Sequence, residues 1–401
     1  MDIPCASPHE ARIRAATILL IEDDPLSLSL TVAALETHGF HNIIQTTDSA
    51  SALAALRSST PDLVILDLVM PDTDGFDICR ALKSKSSLQD VPILAYTALD
   101  NEEKRLTILT MGASDLAIKP INPEELIARC RIHLEKRFIL KDLQDYRSRM
   151  EEDLANARAM QNMLMPDIDT IKSVEAQHQL DISTLFMPSM AIGGDFWGIH
   201  RLPSPHKLAL YIGDFTGHGV TAAINVFRLC ALMGKLPDSV LAQPAECLAQ
   251  INQQLHAILP VELYATMFYG VLDTHENTVE YCVAGSLPPL LLRQATRDFT
   301  LLEGSGLPLA ATANASYRSH KQAFHVGDTL MLYSDALTET PNRKNEYLSI
   351  DAVGESLASQ QGTGITARMM LKQVDELFNA FTDGVPPKDD FTLNFYRRLP
   401  D

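Results

Sequence analysis

Two aspartates in the second half of the 401-residue chain stand in similar surroundings. Asp195 lies in AIGGDFWGIH, and Asp214 follows nineteen residues later in IGDFTGHGVTAAI. Each borders an apolar run and has glycine beside it, which lets a backbone carbonyl or a water come close. Two more positions also lie where an apolar run ends or begins, without an adjacent glycine: Asp335 after MLYS, and Asp389-Asp390 before FTLNF. A single acid at a strand end needs only solvent. Four such positions are better explained by cations. No His/Cys cluster accompanies them, so oxygen ligands favour Mg²⁺ or Mn²⁺ over zinc. A pair of such ions activates water at neutral pH and clamps a phosphoryl group.

A second set of chemical residues lies in the first third. TILLI, NIIQT, DLVILD, PILAYT and LAIK read as strands, and the stretches between them have helical periodicity with Gly or Ser at their ends. Over residues 17–130 this alternation predicts an α/β doubly wound, flavodoxin-like sheet of five parallel strands, with ligands beyond the strands' carboxyl ends. Glu22 and Asp23 close the first strand, Asp67 the third, Thr97 the fourth and Lys119 the fifth. Three carboxylates on one rim repel unless a divalent cation joins them, and Mg²⁺ suits oxygen ligands with retained waters. Lys119 and Thr97 would then hold the oxygens of a phosphoryl group placed on Asp67.

The remaining elements must position these groups. Residues 1–16 are expected to be an N-terminal extension. From 131 to 166 the pattern is helical and free of Gly and Pro until Pro166. Leu140, Arg147, Leu154 and Gln161 fit heptad position a, and Leu143, Met150, Ala157 and Leu164 fit d, so a parallel coiled coil and a homodimer are expected. Residues 167–401 hold many strand-like runs and three long helices, which predicts an α+β sandwich of sheets flanked by helices.

Composition narrows the function. A chain this long, 46% hydrophobic and 21% charged, is globular with two or three domains. It has no run of eighteen apolar residues, and its N-terminus lacks the order of a signal peptide, so neither a membrane span nor secretion is expected. Six scattered cysteines without a C-x-x-C pair suggest reduced thiols and a cytoplasmic location. A net charge of −18 disfavours direct nucleic-acid binding.

LLIEDDP, LVILDLVMPDTDG, YTA and KP, with separations of 44, 30 and 22 residues from Asp23 through Asp67 and Thr97 to Lys119, resemble the response-regulator receiver family. The resemblance implies Mg²⁺-dependent phosphorylation of Asp67, with Asp23, Glu22 and the Val69 carbonyl serving the metal. It also implies a sensor histidine kinase or phosphotransfer protein as donor. Leu116 stands where the family usually has an aromatic switch residue. Further on, AIGGDFWGI, YIGDFTGHGVTAAI, YATMFYGVLD, AGSLPPLLL, LYSDALTE and DDFTLNFY resemble, in order, the SpoIIE/RsbU branch of the metal-dependent (PPM) Ser/Thr phosphatases. ARAMQNMLMP resembles the linker that precedes such domains.

That second resemblance implies two Mn²⁺ or Mg²⁺ ions. Asp214 would bridge them, the Phe215 carbonyl would complete one, Asp335 and Asp389 would hold the other, and Asp195 would position waters or bind directly. His218 would cap the following helix or act as an acid. Ala336, Gly198 and Ser286 depart from residues common in the family. Together the two resemblances imply a receiver-controlled phosphatase that hydrolyses phosphoserine or phosphothreonine on a partner, such as an anti-sigma-factor antagonist. The alternative is an RssB-like adaptor that binds a sigma factor or other partner through an inactive phosphatase-like domain. GGDF also echoes the diguanylate-cyclase signature, but the Trp and Gly that follow do not fit it.

Overall fold

The computed structural model describes residues 7–70, 73–85, 88–97, 102–190, 192–217, 219–360, 362 and 364–400. The chain divides into two compact units, residues 1–150 and 151–401. The first unit runs α1 (Pro8–Arg14), β1 (Ile18–Ile21), α2 (Pro25–Thr37), β2 (Ile43–Thr46), α3 (Ser49–Ser58), β3 (Leu63–Leu66), β4 (Val69–Met70), β5 (Thr73–Asp74), α4 (Gly75–Ser84), β6 (Ile93–Thr97), α5 (Glu102–Thr110) and β7 (Asp115–Ile118). Then α6 (Pro123–Asn162) begins, a helix of 40 residues that continues past the unit boundary.

Five strands of this unit form a parallel sheet in the order β2-β1-β3-β6-β7. Because β1 and β3 are buried on both faces, their side chains are apolar throughout, as a parallel sheet between helices requires. Leu19, Ile21, Val64 and Leu66 pack with Leu56 of α3 and Ile78 and Leu82 of α4. Ile18, Leu20 and Ile65 pack on the other face with Leu35 of α2 and Leu134 and Phe138 of α6. The helices start where local chemistry allows: Asp24 accepts from Ser27 N and Asp48 from Ser51 N, each at the amino end of its helix.

The stretch expected as an extension contributes to this core. Ile13 of α1 is fully buried beside Leu134 and Phe138. Glu10 accepts two bonds from Arg131 at 2.8 and 2.9 Å, Arg12 reaches Asp142 at 2.7 Å, and the Arg12 guanidinium lies 4.5 Å from the centre of the Phe138 ring. Exposed ion pairs of this kind are worth ~1 kcal/mol or less, whereas full burial of an isoleucine is worth about 1.5–3 kcal/mol. Ile13 therefore does most to hold α1, and α1 braces α6 beyond residue 131.

The second unit continues with α7 (Ile168–His178), β8 (Leu180–Met187), β9 (Asp195–Arg201), β10 (Lys207–Phe215), α8 (Val220–Met233), α9 (Asp238–Leu241), α10 (Pro244–His256), β11 (Ala265–Asp273) and β12 (Thr278–Ala284). It ends with β13 (Leu290–Arg293), β14 (Asp298–Leu301), β15 (His320–Ala323), β16 (Thr329–Tyr333), α11 (Ala336–Glu339), α12 (Ile350–Ser359), α13 (Ala367–Thr382) and β17 (Phe391–Arg398). Two antiparallel sheets result, ordered β15-β12-β11-β10-β9 and β14-β13-β16-β17-β8. Their facing sides share one core that includes Trp197, Leu210, Phe268, Leu330 and Tyr396. Helices α8 and α10 cover the outside of the first sheet, while α12 and α13 cover the second. The unit is thus a four-layer sandwich of two sheets between two helical layers.

Heptad spacing alone puts Gln161 and Leu164 on a coiled-coil seam, and the structure corrects this. Gln161 is buried at the end of α6 with its amide bonded to Gly193, and Leu164 packs on the core beneath α8 and α10. Both residues serve their own unit because the chain turns off the helix after Asn162. Leu140, Leu143 and Met150 remain exposed on α6. Among the described residues, no helix is long and apolar enough to cross a membrane.

Candidate functional site

Asp195 is the first residue of β9 and Asp214 the last but one of β10, and antiparallel register sets them directly opposite each other. Asp195 is buried, and its Oδ2 accepts a 2.5 Å bond from Thr392 Oγ1, which reaches across the sandwich from β17. Asp335 follows β16 and starts α11 without capping it through its side chain, so its carboxylate stays available. Asp389 is exposed just before β17. Asp390 beside it is buried and structural: its carboxylate accepts from Ser189 N, Ser189 Oγ and Asp195 N at 2.8, 3.2 and 3.2 Å. Asp195, Asp214 and Asp335 line one pocket of about 130 Å³, together with Thr266, Ser286 and Glu339.

The paired glycines have a steric role here. A Cβ on Gly193 would collide with the Asp390 carboxylate. A Cβ on Gly194 would lie 2.6 Å from Asp214 Oδ1 and 2.8 Å from the Phe215 carbonyl oxygen. Those two oxygens therefore converge beside one point of backbone, where only glycine leaves room. Gly193 is held in turn by Gln161, whose Nε2 donates to its carbonyl at 2.8 Å and whose Oε1 accepts from its N–H at 3.2 Å. Gly198 is closed to larger residues because a Cβ there would meet the Tyr211 hydroxyl, which explains the departure at that position. Ser286 Oγ is buried at the pocket without a partner. His218 lies outside the described residues.

Burial and mutual repulsion raise the pKa values of the cluster, so these carboxyls hold their protons longer than usual. Burial pushes the Asp214 carboxyl up to about 8, with Asp335, Asp389 and Asp390 adding repulsion. Asp335 rises to about 6 through burial and then the charges of Asp389 and Glu339. Asp195 is pushed well above the usual carboxylate range by burial and by Asp214, and the Thr392 bond only partly opposes this. These are oxygen donors facing one pocket with no cation among the residues lining it. They fit a hard divalent ion. Among the described residues no three of them offer oxygens within 4.8 Å of one another, so they ring the pocket rather than touch.

In the first unit, Glu22, Asp23 and Asp67 do offer oxygens within 4.8 Å of one another. Glu22 and Asp67 are buried, and Lys119 Nζ donates to both at 2.5 Å. Ser27 Oγ also donates to Glu22 at 3.0 Å, and Val69 N to Asp67 Oδ1 at 2.9 Å. Burial raises the Glu22 carboxyl, while Lys119 opposes the rise. Burial also works against the Lys119 ammonium, but its bonds to Asp67 and Glu22 outweigh it and hold the proton more tightly than usual. Thr97 is fully buried at the end of β6. Leu116 packs against the core, and the Tyr96 ring instead lies 4.9 Å from Lys119 Nζ.

Comparison with known proteins follows this division. Residues 18–131 match the response regulator receiver domain, and residues 204–399 match stage II sporulation protein E (SpoIIE). The chain joins a receiver domain to a SpoIIE-type phosphatase domain. The probable transcriptional regulatory protein TcrX of Mycobacterium tuberculosis is 37% identical over 120 residues, 30% of this chain and 50% of TcrX. Phosphoserine phosphatase RsbU of Bacillus subtilis is 25% identical over 225 residues, 56% of this chain and 65% of RsbU. The chain thus spans about half the length of the first curated relatives it matches. The SiaA-PP2C domain of Pseudomonas aeruginosa shares the fold, with a TM-score of 0.53 and 16% identity over 63% of this chain and 98% of that domain.

Two outcomes follow from the acidic pocket. In the fold, Asp214 keeps its proton up to about pH 8, whereas an ordinary aspartate loses it near 3.8. Between those values the metal-free phosphatase unit loses stability as pH rises, because the unfolded chain binds fewer protons. Mn²⁺ takes the place of that proton, so its gain in melting temperature should be larger at pH 8 than at pH 6. A gain independent of pH, read by scanning calorimetry, would contradict the cluster. Gln161→Ala should leave the Gly193 amide and carbonyl unpaired and weaken Mn²⁺ binding about tenfold, since a buried orphan costs ~1–3 kcal/mol. Unchanged affinity by titration calorimetry would remove Gln161 from the site.

Proposed function

We propose that the chain is a response regulator whose output is a metal-dependent protein phosphatase. The observation that carries this reading is the pocket lined by the buried Asp195 and the half-buried Asp214 and Asp335, with no Lys or Arg among its lining residues. A phosphate monoester cannot approach such a pocket unless cations come first. Asp214, the Phe215 carbonyl, Asp195, Asp335 and Asp389 would hold two Mn²⁺ or Mg²⁺ ions. When bound, these supply the charge that clamps the phosphoryl group and activates water. Thr392 fixes the Asp195 carboxylate, and Gly193 and Gly194 keep the loop close to its neighbours. Ser286 and Thr266 also line the pocket where the substrate would lie.

The substrate class is phosphoserine or phosphothreonine on a partner protein, an anti-sigma-factor antagonist being the leading candidate. RsbU, a phosphoserine phosphatase, supports the chemistry by similarity over this half. In the receiver, Glu22, Asp23 and the Val69 carbonyl would hold Mg²⁺ while Asp67 takes a phosphoryl group from a sensor histidine kinase or phosphotransfer protein. Lys119 would then exchange its bond to Asp67 for one to the phosphoryl oxygens, and Thr97 would provide the hydroxyl partner. Control would run along α6 to Gln161, aided by a homodimer through the exposed Leu140, Leu143 and Met150, in the cytoplasm. Coupling of ~1–3 kcal/mol gives up to about hundredfold control.

Phosphate release from a phosphoserine peptide with Mn²⁺ tests both halves. Turnover should change when acetyl phosphate is added, and Asp67→Ala should abolish that change without abolishing turnover. Asp214→Asn should remove turnover while the unit stays folded. Wild-type turnover in Asp214→Asn would reject the metal assignment. A wild-type chain silent on all phosphoproteins would favour the adaptor function.

A further inference from the structure

Against a net charge of −18, one pocket of the first unit is cationic. It has a volume of about 270 Å³, and its wall carries Lys83, His133, Lys136 and Arg137 against one carboxylate, Asp90. Pro92 and Ser114, which precede β6 and β7, place it at the amino ends of the strands, at the opposite edge of the sheet from Asp67.

Three of the four positive groups, Lys83, Lys136 and Arg137, have no ion-pair partner among the described residues. Lys83 Nζ donates to the carbonyls of Gln89 and Val91 at 2.7 and 3.1 Å, both neutral acceptors. Arg137 Nε is buried without an acceptor. His133 Nε2 lies 3.2 Å from Asp115, but Arg129 already holds that carboxylate at 2.8 Å. Burial lowers the Lys83 pKa, Asp90 opposes this and Arg137 adds to it, so two like charges face one space. An anion in that space would satisfy the orphaned N–H and relieve the repulsion. Pro92 and the half-exposed Leu140 give the same pocket an apolar side.

We propose that this pocket binds a small organic phosphate, with Lys83, Lys136 and Arg137 meeting its phosphate oxygens and Pro92 and Leu140 supporting its apolar part. His133, Lys136, Arg137 and Leu140 all belong to α6, so the ligand would hold the helix that leaves the receiver.

The test is titration calorimetry of the full chain with ADP, ATP and pyrophosphate in buffer free of divalent ions, so that neither carboxylate site competes. Saturable, salt-sensitive binding in the millimolar range or tighter is expected. It should weaken at least about tenfold in Arg137→Ala and in Lys136→Glu. Lys136 is exposed, so the second variant keeps the fold. Arg57→Glu, an exposed position outside the pocket, should bind as the wild type does. ADP binding more tightly than pyrophosphate would assign a role to the apolar wall. Equal affinities would limit recognition to the phosphates and overturn the part given to Pro92 and Leu140. Absence of saturable binding for all three probes, or undiminished affinity in Lys136→Glu, would overturn the site.

Discussion

The phosphatase unit is organised around one costly arrangement: Asp195 and Asp214 set side by side on neighbouring strands, with Asp335 and Asp389 near enough to repel them. Carboxylates out of water hold their protons or find a cation. Much of the surrounding structure keeps the repelling groups in place. Thr392 ties Asp195 to the opposite sheet, and Asp390 gathers the Ser189 and Asp195 backbone. Ser334 joins the ends of β16 and β17 by donating to the Asp390 carbonyl and accepting from Thr392 N. Two stacked sheets suit this purpose because strands from both end at one rim.

The receiver solves a similar problem differently. There the three acids are close enough to share an ion, and Lys119 already neutralises part of their charge. Phosphorylation and metal binding would therefore redistribute existing bonds, whereas the phosphatase pocket has no internal cation to displace. Under the proposed function, this contrast would suit one half to reversible signalling and the other to hydrolysis.

The sites were legible where chemistry sits at a strand end. Asp67, Thr97 and Lys119 could be placed on one rim because apolar runs stop at them, and the Gly193-Gly194 pair marked a crowded loop. Thr392 was not legible, since its partner lies on a strand nearly two hundred residues away in sequence and only sheet packing brings them together. Glu339 had a usable signal, one helical turn after Asp335, yet helical spacing alone does not say which way a short helix faces. Gln161 misled because it fits a heptad, while its amide is needed by a loop that sequence periodicity cannot see. α1 precedes the alternating pattern, and a lone buried isoleucine leaves no periodic trace.

Anomalous diffraction from crystals grown with Mn²⁺ would show which carboxylates hold the ions. Manganese is expected on Asp214, Asp195, Asp335, Asp389 and the Phe215 carbonyl, and on Glu22, Asp23 and Asp67. Manganese on the receiver carboxylates alone, with Asp195 and Asp214 empty of metal and hydrogen-bonded to each other, would contradict this expectation.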